Sequence, residues 1–236
     1  MEKSTAQVKG MRTALESPVV VICAAVFLFF GSQILGVGVS QLFVRHIKEQ
    51  SYQLLAIIAL NALALGVIVS FAQNFIRVKL SSVGIKLPSL RSFLYILPAF
   101  IIYFLASAMF TVFAIKYIPG FKSDQVQDVG FNNLKQPLQL VAGFVSLAVI
   151  TPLYEEFIFR GVLFKGLRRK LPFWLSAAIT SAVFAVAHMQ WNVAVDVFAL
   201  SLVLCFLVEK SQSIFPGVLL HALKNSIAFI LLFIHK

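Results

Sequence analysis

The chain has 236 residues, 60% of them hydrophobic and only 12% charged, with a formal net charge of +11 and a mean hydropathy of +0.92. Soluble domains run at about 45–50% apolar and about 25% charged, so a water-soluble domain is excluded and a polytopic membrane protein is implied. The positive balance does not point to nucleic acid, because Lys and Arg fall mainly between apolar runs, where membrane proteins carry their topology signal.

A spanning helix needs about 20 apolar residues. The opening "MEKSTAQVKGMRTALESP" is polar and basic, and the apolar run behind it is too long for a signal-peptide core of about 7–15 residues. It is read as an uncleaved first span, 18–44. Further spans are predicted at 51–76, 92–117, 137–164, 173–189, 192–208 and 214–234, seven in all, with re-entrant segments able to move the count between six and eight. The predicted fold is an all-α transmembrane bundle. Residues 1–136 form the tail and first three spans, and 137–236 form a core of late helices that carries the polar groups. The stretch "SSVGIKLPSLR" is read as an interfacial connector or a solvated loop, since Gly84 and Pro88 break a helix and its basic residues suit anionic headgroups.

With the N-terminus inside, the inner segments hold Lys3, Lys9, Arg12, Arg77, Lys79, Lys86, Arg91, Lys165, Arg168, Arg169, Lys170 and Lys210. The outer segments hold Arg45, Lys48, Lys116, Lys122, Lys135 and Lys236, and twelve against six predicts a cytoplasmic N-terminus. Cys23 and Cys205 both lie in apolar segments and read as small packing residues.

Charge inside a span is expensive and usually marks function. The fourth span carries "YEEFIFR". Residues four apart share a helix face, so Glu156 and Arg160 are expected to pair. Glu155, offset by about 100°, should point elsewhere and remain available as a general base. "FAVAH" (184–188) and "HALKN" (221–225) place His188, His221 and Asn225 on two further spans. Counted from the basic turn "RRKLP", Glu155 lies about 14 residues back and His188 about 15 forward, so both sit about 21–22 Å from it. The reading sets Glu155 opposite His188, with Phe184 packed on the same side. Asp196 is a lone acid near the start of the sixth span that pairs with Lys224 or lies near the interface.

A carboxylate and a histidine can hold and deprotonate water. A histidine and an asparagine one turn apart can stabilise a developing oxyanion. The same Glu155, His188 and His221 could instead bind a divalent metal such as zinc. There is no H-E-x-x-H and no G-x-S-x-G.

In these residues the chain resembles the CAAX-protease and bacteriocin-processing family of intramembrane proteases, called CPBP or Abi. That family shows E-E-x-x-x-R, F-x-x-x-H and H-x-x-x-N on successive late helices, matched here by "EEFIFR", "FAVAH" and "HALKN". The resemblance covers roughly residues 137–230 and implies an intramembrane endopeptidase. It implies Glu155 as base, with His188 orienting or sharing the water. His221 and Asn225 would form the oxyanion hole or complete a metal site, and Glu156 and Arg160 would give support or bind substrate. Family members are described as metalloproteases, and a metal-free glutamate mechanism fits the residues equally. The substrate expected is a peptide or membrane protein at a bacterial plasma membrane, in maturation, bacteriocin immunity or signalling. Two other readings compete. One is a non-catalytic immunity or sensor-binding scaffold. The other is a proton-coupled transporter, disfavoured because no inverted repeat is present.

Overall fold

The computed structural model describes residues 17–43, 79–125 and 134–234, together with residue 129 and scattered positions between 49 and 70. The predicted span 51–76 therefore lies largely outside the described residues. What is described is a helical membrane bundle. Helix α1 runs Pro18–Phe43. Helix α2, Ile96–Tyr117, is entered through a short 3-10 turn, Leu90–Tyr95. The long helix α3 covers Pro137–Leu167. Then come α4, Phe173–Ala187, α5, Trp191–Ser211, and α6, Phe215–Phe229, continued by a wider turn to Ile234.

Among the described residues four helices are long and apolar enough to cross a membrane: Leu90–Tyr117, Pro137–Leu167, Trp191–Ser211 and Phe215–Ile234. Pro18–Ile34 and Phe173–Ala187 are shorter apolar stretches. With 15 residues, α4 rises only about 22 Å, less than the hydrocarbon thickness of about 30 Å. The turn that follows it, with Met189 at φ 54, therefore comes before the helix has risen a full hydrocarbon thickness.

Helix α3 begins with a capping box. Pro137 has no N–H to orphan, and the Gln139 side chain accepts from the backbone N–H of Gln136 at 3.2 Å. Its N–H donors are thus satisfied where the chain enters the bundle. Helix α5 lies at the centre, with Ala199, Leu200, Leu204 and Leu207 buried against Ala99 and Tyr103 of α2 and Leu220 of α6. The main core lies where α1, α3 and α4 meet, around Phe29, Phe159, Leu163 and Phe184.

The connector read as interfacial or solvated is folded onto one end of this bundle. Ser213 Oγ donates to the Lys86 carbonyl at 2.7 Å, and the Ile214 N–H donates to the Gly84 carbonyl at 3.0 Å. Gly84 sits at φ 81, a left-handed conformation that glycine adopts without strain. At the same end Arg168 grips Glu209 through two hydrogen bonds, 2.7 and 3.1 Å, joining the α3–α4 turn to the end of α5. Those bonds hold the Arg168 pKa above its ordinary value.

Candidate active site

Helix α3 changes its winding around the two glutamates. Val145–Ile150 and Glu156–Phe164 follow an i→i+5 ladder, and the short α-helical stretch Thr151–Glu155 lies between them. Such wide turns recur at functional sites. Pro152 lacks an N–H and so interrupts the ordinary ladder at this point.

Glu156 and Arg160 pair as their spacing predicts, with Arg160 Nη1 2.9 Å from Glu156 Oε1 and both side chains fully buried. The guanidinium also lies over the Phe184 ring, 4.5 Å from its centroid. A buried charge left alone would cost several kcal/mol, and this one is met by a carboxylate below and an aromatic face above.

His221 of α6 faces the same carboxylate. Its Nδ1 is 3.1 Å from Glu156 Oε1, so Nδ1–H donates and Nε2 is left as the basic nitrogen. That Nε2 lies 3.6 Å from Glu155 Oε2. One imidazole thus stands between two adjacent carboxylates. Here the geometry differs from helical-phase reasoning, which turned Glu155 away from its neighbour. Two causes act together. The nitrogens occupy different edges of the ring, and the i→i+5 winding turns less per residue than an α-helix, so successive side chains diverge less.

His221 thus lies against Glu155, a contact that the sequence reading, which set His188 opposite Glu155, did not name. Counting residues from the basic turn fixes depth along a helix but not direction around it. His188 caps the end of α4. Its Nδ1 is 2.8 Å from the Phe184 carbonyl, to which Nδ1–H donates, leaving Nε2 as its basic nitrogen as well. The Phe184 ring stands edge-on to both imidazoles, with centroids 4.7 Å from His188 and 6.0 Å from His221. Phe184 is thus packed beside the histidines as expected, and it also covers Arg160. Asn225, one turn beyond His221, donates from Nδ2 to the Leu147 carbonyl at 3.0 Å. That carbonyl belongs to the first wide stretch of α3, so Asn225 fastens α6 to it.

The metal candidates Glu155, His188 and His221 do not present three converging ligands. Among the described residues no three His, Cys, Asp or Glu side chains form a group able to hold an ion.

Two groups escaped the sequence reading. Tyr154 OH reaches back to α1, donating to the Leu28 carbonyl at 3.1 Å and meeting the Ser32 hydroxyl. Tyr103 and Ser107 of α2 both donate to Asp196 Oδ1, at 2.8 and 2.6 Å, on the carboxylate whose Oδ2 lies 3.3 Å from Lys224 Nζ in the pairing that the sequence offered. The i, i+4 spacing of Tyr103 and Ser107 was the available signal for a polar stripe on α2. Tyr154 carried none beyond its place beside the glutamates.

Residues 137–227 match the family described as "Type II CAAX prenyl endopeptidase Rce1-like". Through this segment the chain is similar to the CAAX-protease family. The Rce1-like segment contains Glu155, Glu156, Arg160, Phe184, His188, His221 and Asn225. The chain is also similar to the "Putative membrane peptidase YdiL" of Bacillus subtilis, 24% identical over 95 residues. That match covers 40% of this chain and 37% of the relative's length. No solved structure matches the chain.

Proposed function

We propose that the chain is an intramembrane endopeptidase of the glutamate type, hydrolysing peptide bonds in a peptide or membrane-protein substrate. The observation that carries this reading is the His221 ring held between Glu155 and Glu156. It lies inside the segment that matches the Rce1-like family, and the chain is similar to a relative named as a membrane peptidase.

In the proposed reaction Glu155 takes a proton from water, and the hydroxide formed attacks the scissile carbonyl. His188 Nε2 accepts the other hydrogen of that water and orients it. The proton passes from Glu155 to His221 Nε2, whose imidazolium is stabilised by Glu156 through Nδ1–H. Imidazolium and the second N–H of Asn225 then donate to the oxyanion. When the carbon–nitrogen bond breaks, His221 returns the proton to the leaving amine, so acid, amine and resting enzyme are restored. Arg160 and Phe184 hold Glu156 and the rings in place.

The test uses purified protein in lipid nanodiscs with fluorescence-quenched peptides and a single-span membrane-protein substrate. Glu155→Gln should remove hydrolysis by about 10²–10⁴-fold, the range for a general base, while purified yield and melting stay near wild type. Dialysis against a chelator should leave activity unchanged. Undiminished hydrolysis by Glu155→Gln would return the chain to the scaffold reading.

A further inference from the structure

A second polar site lies beside the first, at the end of the bundle formed by the turn after α2 and the start of α5. It is a cavity of about 250 Å³ lined chiefly by Ser107, Thr111, Ser123, Asn192 and Asp196. The lining is rich in acceptors. Asp196 contributes a carboxylate, and the enclosed Oδ1 of Asn192 has no hydrogen-bond partner among the described residues, while its Nδ2 donates to the Gln125 carbonyl at 2.6 Å. Among the described residues no Lys, Arg or His lines the cavity. An enclosed acceptor without a donor costs about 1–3 kcal/mol, so this wall favours an occupant that brings N–H groups.

Asp196 already holds one such group from inside the protein. Its Oδ1 takes the Tyr103 and Ser107 hydroxyls, and its Oδ2 faces the Lys224 ammonium. A carboxylate oxygen has two lone pairs, so Oδ2 can accept a second donor. Lys224 lies between His221 and Asn225 on α6, so the Asp196–Lys224 pair joins the cavity wall to the helix that carries two of the candidate site residues.

We infer that this cavity is a substrate subsite for a basic side chain, which enters from the α2–α5 end and shares the Asp196 carboxylate with Lys224. This rests on the endopeptidase reading for its substrate but not for its binding chemistry. A lysine or guanidinium would take Asp196 Oδ2 and Asn192 Oδ1 together, with the hydroxyls of Ser123 and Thr111 as further acceptors. The peptide backbone attached to it would then run toward Glu155 and His221.

The experiment measures binding and cleavage separately. Fluorescein-labelled peptides in matched sets carry Lys, norleucine or Glu at one position and are titrated against the full chain in nanodiscs by anisotropy. Wild type should bind the Lys set about tenfold tighter than the norleucine set and reject the Glu set. Asp196→Asn and Asn192→Leu should each bring Lys and norleucine to parity, with melting recorded for both in case Asp196→Asn loosens the bundle. Lys224→Met removes the internal competitor and should widen the Lys preference several-fold, an effect that mere structural support would not produce. Equal binding of Lys and norleucine by wild type overturns the subsite. So does a Lys224→Met preference that falls. Lys-selective binding without hydrolysis keeps the subsite and overturns the endopeptidase reading instead.

Discussion

Gly161 leaves no room for a side chain: a Cβ built on it would stand 2.7 Å from the carbonyl oxygen of Val83. Seventy-eight positions apart in sequence, these two residues are where the connector lies down on the wide turn of α3, one residue past Arg160. The contact is with backbone, which cannot swing aside as a side-chain tip could. Gly161→Ala should destabilise by about 1–3 kcal/mol, the usual cost of overpacking. Melting of the purified protein in detergent checks this, and an unchanged melting temperature would mean that the connector does not hold α3.

Glu156 and Arg160 make a different prediction. Glu156→Gln strands a buried guanidinium and should lower stability by about 3–5 kcal/mol, seen as poor accumulation in the membrane. The double variant Glu156→Leu, Arg160→Met removes both charges and should recover most of the lost protein while remaining inactive. Equal loss in single and double variants would argue that shape rather than charge governs this position.

Asn225→Ala removes the donor to the Leu147 carbonyl and one proposed oxyanion donor. Hydrolysis should fall by about 10²–10³-fold, as for loss of a single oxyanion-hole donor. Stability should fall by only about 0.5–1.5 kcal/mol, as for loss of an ordinary hydrogen bond. Parallel rate assays and thermal melts separate the two effects, and a rate that tracks stability alone would leave Asn225 a fastening residue.

Orientation is testable without purification. The distribution of Lys and Arg predicts an N-terminus in the cytoplasm. Reporters fused after Lys170 should then read cytoplasmic, and those fused after Gln125 external. Reversed signals would invert the bundle and move the mouth of the proposed subsite to the other side.

Much of this arrangement was legible in the chain. The late spans stand out by length and hydropathy, and α3, α5 and α6 fall where the apolar runs predict them. The Glu156–Arg160 pair follows from i, i+4 spacing alone. The wide winding of Glu156–Phe164 did not show, because "EFIFRGVLF" has the same composition as an ordinary apolar helix. The contact of His221 with Glu155 was not legible either, because spacing along one helix does not report how α6 leans on α3. Phe184 was expected beside His188. Its cover of Arg160 depends on how α4 leans on α3, which spacing within one helix cannot report.

Helix α2 buries few side chains, Ala99, Tyr103 and Ala114, while Leu97, Ile101, Leu105, Val112 and Phe113 are exposed. Its outer face is completed by whatever hydrocarbon surrounds the protein. Lipid is thus part of the wall behind Tyr103 and Ser107, and the hydroxyls that steady Asp196 stay in place only as long as α2 is pressed inward. A harsh detergent would loosen this helix before the tightly packed helices α4 and α5. Preparations made in different amphiphiles should therefore differ first in how they treat Asp196, and only later in whether they hold the two glutamates and His221 together.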